Sequence, residues 1–340
     1  MSAPRCDAWL ATALLAIAGC ASPATPPSPG PATALVVPTS LPKPVEASPP
    51  PDAAPPPDAA PDPAACTAGP PAGMACVPAG SFVRGTDDGE PSTRPAAPVM
   101  MSTYYMDVDE VTTAQYQACM AEGRCPKARA QYNDFDAPQQ PMSGVSWFDS
   151  VAFCAAHGKH LPTEAEFEKA ARGPSGAVYP WGDEPATCER AIIETKAGKG
   201  CGVKKRGSHP EKSKPWSVAS RPPGVYGLRD MAGNAYEWVA DWASDSYAAC
   251  GEACVGPDPL GPCAGALSCP GRHRRGVRGG SWFWPARNAA GSYRRFHEPA
   301  NRPFHHFGFR CAASQAEAAA LIGAADAAAT SVPSLTPAPR

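Results

Sequence analysis

RGVRGGSWFWPARNAAGSYRRFHEPANRPFHHFGFRCA, residues 275–312, decides how the 340-residue chain is read. Its Gly279–Gly280 pair lets a backbone pass close to another element with no Cβ in the way. Ser281, Trp282, Phe283 and Trp284 follow, and the aromatics among them are bulky enough to anchor a core. The segment closes on Phe307–Cys311, aromatic–Gly–aromatic–Arg–Cys, which reads as a buried strand with a covalent tether. No cysteine lies between Cys269 and Cys311.

Working outward, the ends of the chain look unlike its middle. Pro numbers 44 and is concentrated at the front, far above an average share. Arg5 precedes an apolar run, Ala8 to Ala18, that is too short to span a bilayer and fits a secretory signal over residues 1–20. The run ends in Ile17-Ala18-Gly19-Cys20, which resembles a bacterial lipobox and marks Cys20 for lipidation. With Ala rather than Asp at position 21, the expectation is a lipid anchor in the cell envelope, at the outer membrane. Residues 21–65 are dominated by Pro and Ala and cannot bury enough apolar surface to offset ordering. They read as an extended linker reaching up to ~140 Å at ~3.1 Å per residue. Residues 66–314 read as one globular domain, and 315–340 as a disordered tail, with a frayed helix near Ala316–Ala327 as the alternative. Net charge is −2, and the short Lys204–Lys205–Arg206 cluster reads as solvated loop charge, so no nucleic-acid partner is expected.

The chain has 14 cysteines, of which Cys6 would leave with the signal and Cys20 would take the lipid. The twelve that remain in an exported chain point to disulfides. Sequence does not fix their connectivity. Near neighbours suggest Cys66–Cys76, Cys119–Cys125, Cys188–Cys201, Cys250–Cys254 and Cys263–Cys269, leaving Cys154 with Cys311. A zinc site at Cys250, Cys254, Cys263 and Cys269 is the competing arrangement, with loose ligand spacing.

Local signals place the elements. Met74–Gly85 reads as a strand interrupted by a Pro-Ala-Gly turn, and Tyr104–Val111 as a second strand. Thr112 or Thr113 caps a helix through Glu122, with Tyr116 and Met120 on one face. Ser146 with Asp149, and Thr163 with Glu166, form capping boxes for two more helices. Glu164, Glu166 and Glu168 then compensate the helix dipole, with one buried hydrogen bond among them. Residues 184–222 show no periodicity and read as loop held by Cys188 and Cys201. Within YGLRDMAGNAYEWVADW, residues 226–242, Asp230, Gly233, Asn234 and Glu237 lie close together. Two carboxylates with free loop carbonyls suit Ca²⁺, and a Gly-Asn turn with a locally bonded Glu is the alternative.

VPAGSFVRG, VTTAQY, GVSWFDSVAFC, LPTEAEFEKAARG, YPWGD, YGLRDMAGNAYEWVADW, RGGSW and GFRCA, in this order over roughly residues 74–314, resemble the formylglycine-generating enzyme, or sulfatase-modifying factor, family. The resemblance implies a single α+β domain, C-type-lectin-like and low in regular secondary structure. It implies structural Ca²⁺ held by the side chains of Asp230 and Glu237 and the backbone carbonyls of Gly233 and Ala235. The Cys154–Cys311 pairing also matches the family. Its other calcium site falls at 188–203, where this sequence departs from the pattern, so no ligands carry over there. Active members hold Cu(I) between two thiolates and use O₂ to convert a sulfatase cysteine to formylglycine; soft thiolates suit that metal. Those two cysteines fall at Trp284 and Ala289 here. Ser281 matches an active-site serine, but the family's neighbouring His and Tyr correspond to Pro285 and Asn288, and the Trp before the calcium Glu is Tyr236. The site is degenerate, with no catalytic residue and no copper ligand expected. His297, His305 and His306 could serve another metal, but adjacent histidines in a strand face opposite ways, so at most one would join His297.

Two functions follow as expectations. In the first, the domain is a non-catalytic binding module. A groove of Trp282, Trp284, Asn288, Tyr293, Arg294, Arg295 and His297 holds a peptide or glycan, or an envelope protein that carries one. In the second, it is a formylglycine-generating or related metal-dependent oxidase acting on a protein cysteine. A stabilising subunit for an active paralogue or sulfatase is a third, indistinguishable from the first by sequence.

Overall fold

Three helices in this chain begin where Ser or Thr stands three residues ahead of Gln, Asp or Glu. In a computed structural model describing residues 66, 69–203, 213–300 and 305–330, the pattern produces three full capping boxes. Thr112 and Gln115 open α1 (Thr113–Ala121), Ser146 and Asp149 open α2 (Trp147–Ala156), and Thr163 and Glu166 open α3 (Glu164–Arg172). In each box the hydroxyl accepts from the backbone N–H three residues on and the partner side chain accepts from the cap's own N–H, so two orphan donors are satisfied at once.

The strands are short. β1 (Met74–Val77) and β2 (Gly80–Arg84) are separated at Pro78-Ala79, where the sequence places a turn. β3 (Ala97–Met101) pairs antiparallel with β2; its Pro98 hid it from sequence reasoning. β4 (Tyr104–Asp107) stops four residues short of the expected Val111. There the Arg310 guanidinium takes the carbonyls of Asp107 and Val108, which ends the ladder. β5 (Tyr236–Trp242) is an inner strand of a four-stranded sheet. It pairs antiparallel with β6 (Arg275–Arg278), which carries β7 (Arg295–His297), and parallel with β8 (Phe307–Gly308). β9 (Ala312–Ser314) joins β4, and β4 joins β1, in a three-stranded sheet. The fold is α+β with long irregular connections.

The largest core cluster packs Trp147, Tyr116, Phe153, Trp238, Phe307 and Phe309 around the Cys154–Cys311 bridge. All six disulfides form as the near-neighbour arrangement has them, including Cys66–Cys76, Cys119–Cys125 and Cys188–Cys201. Cys250–Cys254 and Cys263–Cys269 are paired, so the zinc arrangement fails for want of thiolates. Cys250 ends α4 (Tyr247–Cys250).

The expected disordered tail is corrected in its first half. Residues Gln315–Thr330 form α5, which sets Ala318 and Leu321 against Met74, Tyr105 and Ala313. Ser314 and Glu317 exchange hydrogen bonds as another Ser-x-x-Glu box, and Glu317 Oε2 lies 2.8 Å from His160 Nδ1. Alanine side chains let the helix sit close to the sheet. The signal, Cys20, the whole linker, Lys204–Arg206 and residues 331–340 lie outside the described residues. Among the described residues no helix is long and apolar enough to cross a membrane.

Candidate functional site

The site stands on a buried ion cluster that sequence reasoning undersold. Glu164 is forked by Arg294 at 2.7 Å on each oxygen, and Arg278 reaches it at 3.2 Å. Glu168 accepts from Arg278 at 2.7 Å, Arg172 at 2.6 Å, the Tyr247 hydroxyl at 2.9 Å and the Gly85 N–H at 2.6 Å. Burial alone would raise both carboxyls, but the guanidiniums outweigh it and hold both below the usual carboxylate range. Glu164 and Glu168 thus form a network that locks α3 to β6, while Glu166 stays in its capping box with Thr163 and meets His160. Arg294, placed in the groove by sequence, is 4% exposed and belongs to this network.

A second acid cluster surrounds the expected calcium ligands. Arg310 forks onto Glu237 at 2.7 and 2.8 Å. Glu110, not anticipated, accepts from Asn234 Nδ2 at 2.6 Å and the Ala235 N–H at 2.9 Å. Asp230 Oδ2 accepts from the Ala219 N–H at 2.8 Å, while its Oδ1 is buried without a partner. Burial first, and then mutual repulsion among the acids, raises the Glu110, Asp230 and Glu237 carboxyls; Asp109 and Asp107 add to the repulsion. An ideal Cβ on Gly233 would lie 2.6 Å from Ile192 O, so only glycine allows the approach. Among the described residues no three His, Cys, Asp or Glu side chains are grouped as metal ligands. The expected set uses only two side chains and two carbonyls. The orphaned Asp230 oxygen suits Ca²⁺, and Glu237 would have to share its oxygens between the ion and Arg310. Glu110 was legible only as the residue before VTTAQY, and Arg310 only as part of GFRCA.

The residues of the degenerate site lie where the 3₁₀ turn Ala286–Ala289 meets β5 through Asn288 and Tyr236. Gly280 has φ +76°, and a Cβ there would sit 2.7 Å from Ala289 Cα. Ala289 is 1% exposed, packed with Phe135 and Trp282. Ser281 is fully buried, its Oγ 3.4 Å from the Phe283 N–H. Trp284 is partly exposed, with Nε1 3.4 Å from His306 Nε2. The Arg295 guanidinium lies 4.3 Å over the Trp284 ring and 5.3 Å over that of Tyr236. Asn288 Nδ2 donates to the Tyr236 hydroxyl at 3.1 Å, and burial pushes that hydroxyl up to about 12.

The groove residues therefore divide. Trp282, Asn288 and Arg294 are buried supports, and Trp284, Tyr293, Arg295 and His297 reach the surface. His305 and His306 do not face opposite ways: they lie in a turn ahead of β8, their rings 4.6 Å apart. His305 Nδ1 lies 2.8 Å from Gln131 Oε1, while His297 packs on Phe307 at 4.9 Å. Every cysteine of the described residues is in a disulfide, so no thiolate is available to this pocket.

Residues 59–315 match the sulfatase-modifying factor enzyme 1-like domain. The formylglycine-generating enzyme of Bos taurus is 29% identical over 303 residues, covering 72% of this chain and 75% of that protein. The formylglycine-generating enzyme of Thermomonospora curvata is 35% identical over 189 residues, and the match covers 52% of this chain and 57% of that protein. The serine/threonine-protein kinase pkn1 of Chlamydia pneumoniae is 29% identical over 70% of this chain, which spans only 37% of its length. Among solved structures, PvdO from Pseudomonas aeruginosa aligns with a TM-score of 0.55 at 25% identity, covering 71% of this chain and 94% of PvdO. With more than half its length matched, the chain belongs to the sulfatase-modifying factor, or formylglycine-generating enzyme, family.

Proposed function

We propose that this domain is a non-catalytic binding module on the family fold, displayed on the cell envelope by a lipid at Cys20. One observation carries it: an indole and a buried methyl, Trp284 and Ala289, occupy the places where the family's chemistry needs two thiolates, and the described cysteines are all paired. One mouse relative, 28% identical over 71% of this chain, is an inactive C-alpha-formylglycine-generating enzyme 2, which supports a member of the family without the chemistry. The partly exposed face of Trp284, Tyr293, Arg295 and His297, backed by Trp282, Asn288 and Arg294, takes a peptide or glycan of the envelope. Ca²⁺ at Asp230, Glu237 and the carbonyls of Gly233 and Ala235 would neutralise the acid cluster and fix the loop behind Tyr236. Nucleic acid is no partner of so weakly charged a chain.

The test is metal analysis of the purified protein, aerobic copper loading with a Cys-x-Pro-x-Arg peptide, and crosslinked pull-down from native envelopes. Stoichiometric calcium, no copper, an unmodified peptide and a partner lost on Trp284→Ala are expected. Bound copper with conversion of the peptide cysteine would instead establish a formylglycine-generating or related oxidase. Metabolic labelling with palmitate, absent in Cys20→Ser, checks the anchor.

A further inference from the structure

The arginines around the site differ in one respect. Arg172, Arg278, Arg294 and Arg310 are each paired with a buried glutamate. Arg295 has no carboxylate partner among the described residues. Its guanidinium is held by two rings, Trp284 at 4.3 Å and Tyr236 at 5.3 Å, beside the Tyr236 hydroxyl. The side chain is only partly buried. Stacking fixes the plane of the guanidinium and leaves its N–H edge as the polar surface it can offer. A carboxylate meets that edge in the same plane with two parallel hydrogen bonds.

The surroundings narrow the ligand. His297, close to Arg295, is held below its usual pKa by burial and then by the Arg295 charge, so it supplies no second cation for a phosphate dianion. Trp284 has Arg295 over its ring and its Nε1 toward His306, which spoils it as a flat platform for a sugar. A chain of ring contacts leads from Trp284 through His306 and His305 to Tyr132. Tyr132 lines a polar cleft of about 420 Å³ together with Arg129, Gln131, Asn133 and Asp136. Amide side chains there match the alternating donors and acceptors of an extended backbone.

We propose that Arg295 is the anchor for a carboxylate side chain of an acidic peptide. This rests on the binding-module function above. It is tested with the full chain by tryptophan fluorescence, titrating a blocked Ala-Glu-Ala-Glu-Ala peptide, its Ala-Gln-Ala-Gln-Ala counterpart and a glucuronate-containing tetrasaccharide. The Glu peptide should bind at least tenfold tighter than the Gln peptide, and Arg295→Gln should erase that difference, while Arg295→Lys restores part of it. Equal binding of both peptides that is lost on Trp284→Ala overturns the carboxylate anchor but leaves the groove. Binding of the saccharide without the Glu peptide overturns the peptide assignment. No binding of any probe to the wild-type chain overturns the proposal, whereas a partner captured from envelopes would still uphold the groove. The comparison of the two peptides on the wild-type chain decides the matter even if Arg295→Gln does not fold.

Discussion

Replacing Glu168 with Ala removes the carboxylate on which Arg172, Arg278, Tyr247 and the Gly85 N–H converge within 2.9 Å. The glutamate side chain is completely buried, so water cannot take its place. Four charge-assisted bonds at their gross worth would overstate the loss. Arg278 keeps Glu164 and the Gly291 carbonyl, and Arg172 keeps the carbonyls of Val83, Gly85, Gly176 and Ala177. The relevant figure is that for breaking a buried ion pair from one side, about 3–5 kcal/mol. Urea unfolding at pH 7 with the m-value checked against wild type measures it. Glu168→Gln, which keeps the shape and drops the charge, separates electrostatics from packing. The carboxyl is held below its ordinary 4.5 in the folded state, so its stabilisation is complete above that value and is lost as pH falls through the folded pKa. The gap between wild type and Glu168→Gln should therefore close on acidification below pH 4.5. A loss under about 1 kcal/mol at pH 7, the range of exposed pairs, would refute the reasoning.

Asp241 works in the opposite sense: burial and then Glu164 push its carboxyl from 3.8 up to about 7. Between those values the folded state holds a proton that the unfolded chain has released, so stability falls as pH rises. Asp241→Asn should gain about 1–3 kcal/mol at pH 8, and the gain should vanish as pH is lowered toward 4, read from urea midpoints. Gly280→Ala forces a side chain onto φ +76° and against Ala289, and should cost at least about 1–3 kcal/mol by the same assay. Removing the Cys154–Cys311 bridge as Cys154→Ser with Cys311→Ser opens a span of 157 residues. Thermal and urea unfolding should show a loss of about 4–5 kcal/mol, as the chain-entropy account gives for so long a loop.

What the sequence made legible was local. Capping boxes and near-neighbour cysteines act over a few residues, so α1, α2, α3 and the short bridges could be read directly. The Cys154–Cys311 bridge emerged only because every other cysteine had a neighbour. Illegible were features made by partners far along the chain. Arg294 looks like a groove residue until Glu164, 130 positions away, is folded against it. Glu110 meets Asn234 and Ala235 across more than 120 positions. His305 and His306 were assigned strand geometry because the string is aromatic, but β8 starts one residue later. The Ser314–Glu317 box was legible in principle and was masked by the alanine-rich composition that follows it.

The connectivity of the bridges constrains how the molecule can be made. If thiols were joined strictly in order of appearance, Cys66–Cys76 and Cys119–Cys125 would come out right, and Cys154 would then take Cys188. That single error would propagate through Cys201–Cys250, Cys254–Cys263 and Cys269–Cys311, so one out-of-sequence native bridge puts four at stake. Maturation thus depends either on shielding Cys154 until the C-terminal strands are synthesised or on an isomerase that undoes the wrong links. A host lacking disulfide isomerase should accumulate scrambled protein even when its oxidising capacity is ample.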